Sequence, residues 1–183
     1  MQIKKGNYLT LIERGQLTSY TLDDKNVWEV GRVSRYNIPD IKLHSPTVSR
    51  KHGKFQNMDG IWFYLDNNGK NGTVYNHRHI DTGLNGRVRP IMLKDGDVFV
   101  FGGGEEEIIN EKTIWGLFTQ RDFDSNWRIE VTKSIEQISF LCGPEKTTLY
   151  EPEKGTVIYR EQGIAIYMGD LTYLAGDMSL ICL

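Results

Sequence analysis

The sequence predicts an all-β sandwich, and two observations support this fold class. Strand signals recur along the chain between turns rich in Gly, Asn and Asp, whereas few stretches keep apolar residues at helical spacing for more than two turns. The chain has 183 residues, of which 39% are hydrophobic and 25% are charged. That length and apolar fraction suffice for one packed domain, or for a full domain with a smaller second unit.

The predicted strands of the N-terminal two thirds are short and bounded by turns. The first two form a hairpin, since the strand-like segments 8–12 and 17–22 flank the turn Glu13 to Gln16. Further turns are predicted at Asn57 to Gly60 and at Asp95 to Asp97, because Gly and Asn tolerate the left-handed backbone of tight turns. The other strands are predicted at residues 27–30, 53–56, 61–65, 98–101 and 114–119.

The pattern stays β-rich beyond a connector at residues 121–127. We therefore predict two domains, one over residues 1–121 and a smaller β-rich unit over residues 128–183. About 60 residues is marginal for an independent core. We expect the second unit to pack on the first domain, on a second copy in a homodimer, or on sequence beyond Leu183. Its strands are predicted at residues 128–131, 137–142, 147–150, 156–159, 164–168 and 178–183.

The net charge of −2 hides an uneven distribution. Residues 31–90 carry ten Lys or Arg against four Asp or Glu, a net charge of +6, whereas residues 91–183 carry eight against sixteen, a net charge of −8. A positive field of this kind attracts and holds an anionic ligand. The sequence pI near 6.1 and the acidic remainder argue against a dedicated nucleic-acid binder.

Several classes of protein are excluded by simple features. No apolar run approaches the roughly 18 residues of a membrane-spanning helix, and residues 1–5 lack the apolar core of a signal peptide. The two cysteines, Cys142 and Cys182, form no Cys-x-x-Cys pair, which argues against a disulfide scaffold or a cysteine-rich zinc module. We expect a cytoplasmic location, either alone or as the cytosolic part of a larger membrane-associated protein.

The sequence carries no recognisable catalytic constellation. It shows no nucleophile–base pair and no paired-carboxylate motif. The run Gly102 to Glu107 is glycine-rich, but no Gly-Lys-Ser/Thr follows it and its three glutamates would repel a phosphate. We therefore predict a binding protein without catalytic activity and without a cofactor.

Three short motifs stand out in the basic middle section. They are Gly31-Arg32, Ser49-Arg50-Lys51-His52 and Asn71-Gly72-Thr73, and each lies in or beside a predicted turn. Arg presents a planar fork of donors that matches phosphate oxygens in pairs. A Ser hydroxyl adds a directional hydrogen bond, and an Asn amide can donate to and accept from a peptide main chain. Together the motifs predict a loop site for a phosphorylated peptide.

Gly-Arg, Ser-x-x-His and Asn-Gly-Thr, in this order and with these gaps, resemble the forkhead-associated (FHA) domain. The resemblance covers roughly residues 6–121 and includes the turn Leu93 to Asp97. It implies an eleven-stranded β-sandwich whose apical loops bind phosphothreonine in a partner protein. The smaller C-terminal unit lacks all three motifs, so any second FHA-like unit there is degenerate.

The resemblance implies a role for each matched residue. Arg32 and Ser49 would contact the phosphate. Arg50 would contact either the phosphate or the peptide backbone, and Asn71 would hold the peptide main chain beside the phosphothreonine. The residues that would shape the binding loops and tie them together are Gly31, His52, Gly72 and Thr73.

Two positions depart from the family pattern. Lys70 stands where the family commonly has a small hydroxyl residue, and it would add a second positive contact to the phosphate or alter which peptide positions are read. Asn76 is preserved, but His77 follows it in place of the usual glycine. We therefore include Lys70 and Asn76 among the phosphopeptide-binding residues, and we expect the peptide preference to differ.

The resemblance also implies a setting. A phosphothreonine partner requires an upstream Ser/Thr kinase, and we expect a bacterial source, where FHA domains accompany such kinases and secretion ATPases. An N-terminal FHA unit before further β structure resembles the start of the FtsK/SpoIIIE-type ATPase of type VII secretion. The sequence thus predicts recruitment of a partner in kinase-dependent signalling or in regulation of secretion.

Two alternatives remain open. In the first, the chain has an FHA-like fold that does not bind phosphate and serves as a module for protein interaction or oligomerisation. The second is a metal site, because His77, His79 and Asp81 alternate along an extended segment and would share one face, with His44 and His52 in the same region. We favour a solvated turn or edge strand for this triplet and predict no metal.

Overall fold

The contacts of the computed structural model divide the chain into two units. One unit is Lys5–Arg121, and the other combines Met1–Lys4 with Asp122–Leu183. The predicted limits of the two domains, at residues 121 and 128, stay a prediction. The described residues are 4–14, 16–76, 78–80, 86, 88–102, 112–122, 128–131, 138–142, 145–150, 156–160, 163–167 and 171–176.

The first unit is built from β-strands, eleven of which lie in the described residues. None of the described residues forms a helix long and apolar enough to cross a membrane. A single 3₁₀ turn, Leu22–Asp24, is described between the second and third strands. The strands are β1 (Lys4–Glu13), β2 (Gln16–Thr21), β3 (Val27–Arg32), β4 (Ile41–Leu43), β5 (Gly53–Met58), β6 (Ile61–Asp66), β7 (Thr73–Tyr75), β8 (Arg78–His79), β9 (Ile91–Met92), β10 (Asp97–Phe101) and β11 (Ile114–Asp122).

These strands form two sheets. The six-stranded sheet has the order β2-β1-β11-β10-β7-β8, and the five-stranded sheet has the order β4-β3-β5-β6-β9. The pair β3–β4 is parallel, whereas β3–β5, β5–β6 and β6–β9 are antiparallel. The predicted all-β architecture is confirmed, and the first hairpin joins β1 to β2 as predicted, with Leu11 opposite Thr18.

The core lies between the two sheets and is rich in aromatic side chains. Alternation along β5 and β6 turns Phe55 and Tyr64 inward, and the same period in β10 turns Phe99 and Phe101 inward. The ring centroids of Phe55 and Phe99 lie 5.5 Å apart, and those of Tyr64 and Phe99 lie 5.0 Å apart. These contacts cross from one sheet to the other, so the two sheets pack face to face as a sandwich.

The shortest strands of the first unit were not predicted from the sequence. Four strands of two or three residues, β4, β7, β8 and β9, were not predicted, because a period of two is not detectable over so few residues. Their side chains still alternate: Ile41 and Leu43 are fully buried on either side of the exposed Lys42. Tertiary packing therefore defines these strands more than their local sequence does.

The second unit contains six described strands in two sheets. The strands are β12 (Arg128–Val131), β13 (Ile138–Cys142), β14 (Glu145–Tyr150), β15 (Thr156–Arg160), β16 (Gly163–Tyr167) and β17 (Leu171–Gly176). The four-stranded sheet has the order β12-β17-β16-β15, and β13 pairs with β14 in a separate two-stranded sheet. Leu171–Gly176 was not predicted as a strand, and the predicted strand at residues 178–183 lies outside the described residues.

Three chain segments meet at one end of the sandwich, where β3 ends and β5 begins. The loop after β4 runs back along β3, since Arg32 N–H donates to the Ser49 carbonyl over 3.0 Å and His52 N–H donates to the Val30 carbonyl over 2.9 Å. The loop after β6 joins them through Asn67 N–H, which donates to the His52 carbonyl over 3.0 Å. This end of the sandwich carries the three motifs.

Candidate functional site

Gly31 allows the backbone of the β4–β5 loop to lie directly on β3. A Cβ atom built on Gly31 would overlap the carbonyl oxygen of Arg50 and would lie 3.3 Å from that of Ser49. Any side chain at this position would therefore push the loop away from the strand. This close approach holds Ser49 and Arg50 beside Arg32.

Arg32 is half-buried at the end of β3, and part of its guanidinium is used to orient the rest. Its Nε–H donates to the Val48 carbonyl over 3.0 Å. The two described ion pairs involve Lys25 with Asp40 and His44 with Glu13, so no described carboxylate pairs with Arg32. The Nη hydrogens are therefore available to an anion, in a fork whose direction the Val48 bond fixes.

Ser49 lies opposite Arg32, and its hydroxyl is packed against a glycine. A Cβ atom on Gly69 would lie 2.7 Å from Ser49 Oγ and 3.0 Å from His52 Nδ1. No described residue hydrogen bonds to Ser49 Oγ, whereas the backbone N–H of Ser49 donates to His52 Nδ1 over 3.4 Å. The hydroxyl is thus free to rotate and to donate to a ligand.

His52 is fully buried beneath the loops and connects them through a hydrogen-bond chain. Its Nε2 lies 2.9 Å from the hydroxyl of Thr73, and that hydroxyl donates to Asp66 Oδ2 over 2.5 Å. Tyr64 also donates its phenol hydrogen to Asp66 Oδ2, over 2.9 Å. The chain joins the β4–β5 loop to β6 and β7. The roles of His52 and Thr73 in a peptide-binding site stay a prediction.

Burial determines the charge states in this chain. Burial lowers the pKa of His52, and the negative charge of Asp66 offsets only part of that effect. Burial and the neighbouring Asp66 raise the pKa of Tyr64 well above its ordinary value. At neutral pH the imidazole and the phenol are therefore both uncharged, and they act as hydrogen-bond partners rather than as charges.

Asn71 holds the β4–β5 loop from the other side of the site. Its Nδ2 donates to the Thr47 carbonyl over 2.7 Å, which leaves Oδ1 without a described partner. Gly72 follows in a left-handed conformation with φ +64° and closes a turn through its N–H to the Gly69 carbonyl at 2.9 Å. The predicted Asn-Gly-Thr motif thus supplies a side-chain tether, a turn and a core hydroxyl in succession.

Asn76 is engaged within the fold rather than directed toward the motifs. Its Nδ2 donates to Asp97 Oδ1 over 2.9 Å, and its Oδ1 accepts the N–H of Val98 over 2.8 Å. Its backbone is left-handed with φ +44°, a conformation that Asn tolerates better than most residues. In this structure Asn76 fixes the end of β7 against β10, and its predicted contact with a peptide stays a prediction.

Arg32, Ser49 and Arg50 line one open groove of about 590 Å³ at this end of the sandwich. Lys70 is exposed, but like Asn71 it is not part of the groove lining. The structure thus brings three of the six predicted binding residues into one groove. The described lining residues are Arg32, Ser34, Tyr36, Asn37, Ser49, Arg50 and Lys51.

The start of the β4–β5 loop is fastened by a carboxylate that the sequence did not point to. Glu13 Oε1 accepts the N–H groups of His44 and Ser45, each over 2.7 Å. Glu13 Oε2 lies 3.0 Å from His44 Nδ1. Since Thr47 and Val48 follow directly, this anchor supports the two carbonyls that hold Asn71 and Arg32.

The proposed metal triplet is described only in part. His77 and Asp81 lie outside the described residues, and His79 is exposed on β8. Of the other two histidines, His52 has both ring nitrogens engaged and His44 faces Glu13. Within the part of the chain that is described, no three His, Cys, Asp or Glu side chains are grouped so that they could hold a metal ion.

The end loops of the sandwich bring the Arg32 fork and the Ser49 hydroxyl into the lining of one groove, and no carboxylate is among its described lining residues. This arrangement of donors suits an anion. Residues 28–102 match the family model of the FHA domain, and this match confirms the FHA domain predicted from the three motifs. The matched range runs from β3 to just after β10 and contains Arg32, Ser49 and Asn71. No curated protein matches the chain.

Several solved structures are similar to this chain. Full-length yeast Pml1p is 25% identical with a TM-score of 0.49, over 62% of this chain and 80% of that one. The FHA domain of CT664 from Chlamydia trachomatis is 21% identical with a TM-score of 0.46, over 62% and 95% of the two chains. FHA-1 of Mycobacterium tuberculosis Rv1747 is 21% identical with a TM-score of 0.41, over 62% and 98%.

The residues that support the motifs from a distance were not predicted from the sequence. Asp66 ends the hydrogen-bond chain under the loops, and Gly69 packs against Ser49. Asn37 ties the loop after β3 to the Arg50 carbonyl over 2.7 Å. Gly69 lies within the glycine- and asparagine-rich loop and was within reach of a sequence argument, whereas Asp66 and Asn37 act on residues outside their own motifs.

Proposed function

We propose that the FHA domain of this chain binds phosphothreonine in a partner protein. The observation that carries the proposal is that the Arg32 fork and the Ser49 hydroxyl face the same groove with donor hydrogens free of described partners. A phosphothreonine carries a charge of about −1.5 to −2 and three strong acceptor oxygens at pH 7. Two Nη donors and one hydroxyl match those oxygens, and Arg50 adds positive charge at the same groove.

The buried chain beneath the loops supports binding without touching the ligand. Neutral His52 accepts the Ser49 N–H and connects through Thr73 to Asp66, so the serine backbone keeps one position. A loop that is ordered before binding loses less conformational entropy when the ligand arrives. The same reasoning applies to Asn71, whose bond to the Thr47 carbonyl holds the loop from its other end.

The proposal includes a preference for phosphothreonine over phosphoserine. Burying the one extra methyl group of threonine contributes about 0.8 kcal/mol, which corresponds to roughly a fourfold difference in Kd. The methyl group also restricts χ1 of the ligand, which lowers the entropy that binding must remove. This preference rests on the chemistry of the ligand and on the family resemblance.

Fluorescence anisotropy with labelled peptide libraries tests the proposal. Phosphothreonine, phosphoserine and unphosphorylated libraries are titrated with the wild-type protein, with Arg32→Ala and with Arg89→Ala, an exposed arginine outside the groove lining. We expect binding of the phosphothreonine library that weakens with salt, falls at least about tenfold in Arg32→Ala, and persists in Arg89→Ala. Binding of an unphosphorylated partner that is insensitive to Arg32→Ala would establish the phosphate-independent interaction module instead.

We also propose that the domain acts after a Ser/Thr kinase and recruits the phosphorylated partner. A place in bacterial signalling or at the N-terminal region of a type VII secretion ATPase is supported only by the order of an FHA domain before a β-rich unit. Pull-downs from phosphatase-treated and untreated lysates of the source cells test this setting. The expected result is a partner retained only when its threonine is phosphorylated, and retention unaffected by phosphatase would contradict it. The cytoplasmic location stays a prediction.

A further inference from the structure

A rigid two-residue tip stands at the rim of the groove. Ser34 and Asn37 pair across it, with N–H to carbonyl distances of 2.9 Å and 3.2 Å in the two directions. Arg35 and Tyr36 form the tip between them. Because both ends of the turn are hydrogen bonded, the tip holds its shape without a contribution from the core.

The tip is hydrogen bonded to the β4–β5 loop. Asn37 Nδ2 donates to the Arg50 carbonyl over 2.7 Å and lies 3.4 Å from the Arg32 carbonyl. Tyr36 and Lys51 both line the groove, together with Arg32 and Arg50. A peptide whose phosphate reaches Arg32 would therefore lie close to Tyr36 and Lys51 in the same groove.

Tyr36 is presented to solvent and does not serve the core. Its side chain is 85% exposed, the largest value among the exposed apolar and aromatic residues of the described chain. The guanidinium carbon of Arg35 lies 5.6 Å from the centre of the Tyr36 ring, which places a further positive charge at the rim. An exposed aromatic side chain beside a binding groove is typical of a recognition surface.

The groove holds more positive charge than one phosphate neutralises. Its described lining includes Arg32, Arg50 and Lys51 and no carboxylate, and the described ion pairs engage none of them. One phosphate dianion is balanced by Arg32 and Arg50, which leaves Lys51, and Arg35 on the Tyr36 ring, without a counter-charge. Cations covered by a neutral peptide would lose hydration without compensation, so the groove favours a ligand with a second negative group.

We propose that the groove selects phosphothreonine peptides that carry a second anionic side chain near the phosphothreonine, bound by Lys51 beside Tyr36. The inference rests on the proposed function and specifies its ligand class. The second group is an Asp or Glu carboxylate or a second phosphate, since both offer the same negative oxygens to Lys51. Tyr36 forms the wall against which the intervening peptide lies.

A positional peptide series tests the inference. Each peptide has one phosphothreonine in an alanine background and either Glu or Gln at a single position, from four residues before to four residues after it. Binding is measured for the wild type, for Lys51→Gln and for Lys42→Gln, which removes the same charge from an exposed lysine outside the groove lining. A phosphoserine arm at the best position distinguishes a phosphate from a carboxylate as the second group.

We expect Glu to bind about five- to tenfold more tightly than Gln at one position, which is the range for one charge-assisted hydrogen bond at a partly exposed site. Lys51→Gln should abolish this difference, whereas Lys42→Gln should leave the difference at its wild-type value. Equal binding of the Glu and Gln peptides, with Arg32-dependent binding intact, would overturn the inference and leave the proposed function standing. Absence of all phosphothreonine binding would overturn both.

Discussion

The imidazole of His52 donates its Nε2 hydrogen to the hydroxyl of Thr73 over 2.9 Å, and both residues are buried. The direction of this bond follows from the next one, because Thr73 gives its own hydrogen to Asp66 over 2.5 Å and must therefore accept from His52. Nδ1 is then unprotonated and can accept the N–H of Ser49. One neutral tautomer thus connects the half-buried carboxylate of Asp66 to the backbone of the loop that carries the proposed phosphate contact.

The first prediction concerns how the free energy of unfolding depends on pH. His52 in the unfolded chain takes up a proton near pH 6.5, whereas burial lowers its pKa in the folded state. Protons therefore favour the unfolded chain below about pH 6.5, so the stabilisation is complete above that pH and is lost as the pH falls toward the lower folded-state pKa. Urea unfolding between pH 7.5 and pH 5 should show this loss.

Two variants separate His52 from the other groups that titrate in this range. His52→Gln should be less stable at pH 7.5 but should show a shallower decline toward pH 5, because it lacks the buried imidazole. His79→Gln removes an exposed histidine on β8 and should follow the wild-type curve. Parallel curves for the wild type and His52→Gln would show that His52 does not contribute to the acid sensitivity.

The second prediction concerns the space beside the Ser49 hydroxyl. A methyl group in Gly69→Ala would lie 2.7 Å from Ser49 Oγ and must displace it. A hydrogen bond to a charged group contributes about 1.5–3 kcal/mol, so we expect affinity for a phosphothreonine peptide to fall at least about tenfold. Calorimetric titration measures this effect. Asn67→Ala changes an exposed residue of the same loop and should retain wild-type affinity.

The site motifs were predictable because each is short and its chemistry is local. Arg32 and Ser49 carry donors suited to phosphate, and their spacing relative to Asn71 matches the family pattern, so sequence alone grouped them. The longer strands were predictable for a similar reason, since residues 61–65 and 98–101 keep a period of two over enough residues to be recognised.

The supporting residues were not predictable, because their partners lie far away in the chain. Glu13 accepts a hydrogen bond from the N–H of Ser45, which lies 32 positions away in the sequence. Asp66 accepts a hydrogen bond from the Thr73 hydroxyl, and that hydroxyl is hydrogen bonded to His52, 21 positions away. No local pattern marks a carboxylate for such a role. For Asn76 the family pattern predicts a ligand contact, which stays a prediction, and the fold engages both the nitrogen and the oxygen of its side-chain amide.

The third prediction distinguishes these two roles for Asn76. Asn76→Ala removes bonds to Asp97 and Val98 and places alanine at φ +44°. We expect the free energy of unfolding to fall by about 2–4 kcal/mol, from two lost hydrogen bonds and a strained backbone. Binding of a phosphothreonine peptide, measured at 10 °C where the fold persists, should stay within about threefold of the wild type. A large affinity loss in a folded protein would support the peptide contact expected from the sequence.

The last prediction concerns Asn71, whose Nδ2 is hydrogen bonded and whose Oδ1 has no partner among the described residues. Asn71→Ala loses the bond from Nδ2 to the Thr47 carbonyl, so the β4–β5 loop becomes less ordered and affinity should fall about tenfold. Asn71→Asp keeps the size but loses the donor and faces the Thr47 carbonyl with a negative oxygen. It also adds a negative charge at the end of the sandwich that carries the proposed phosphate site. The aspartate variant should therefore bind a phosphothreonine peptide more weakly than the alanine variant, and the difference should shrink as salt screens the repulsion. Equal affinities of the two variants at low salt would mean that Asn71 acts only through its tether to Thr47, at a distance from the bound phosphate.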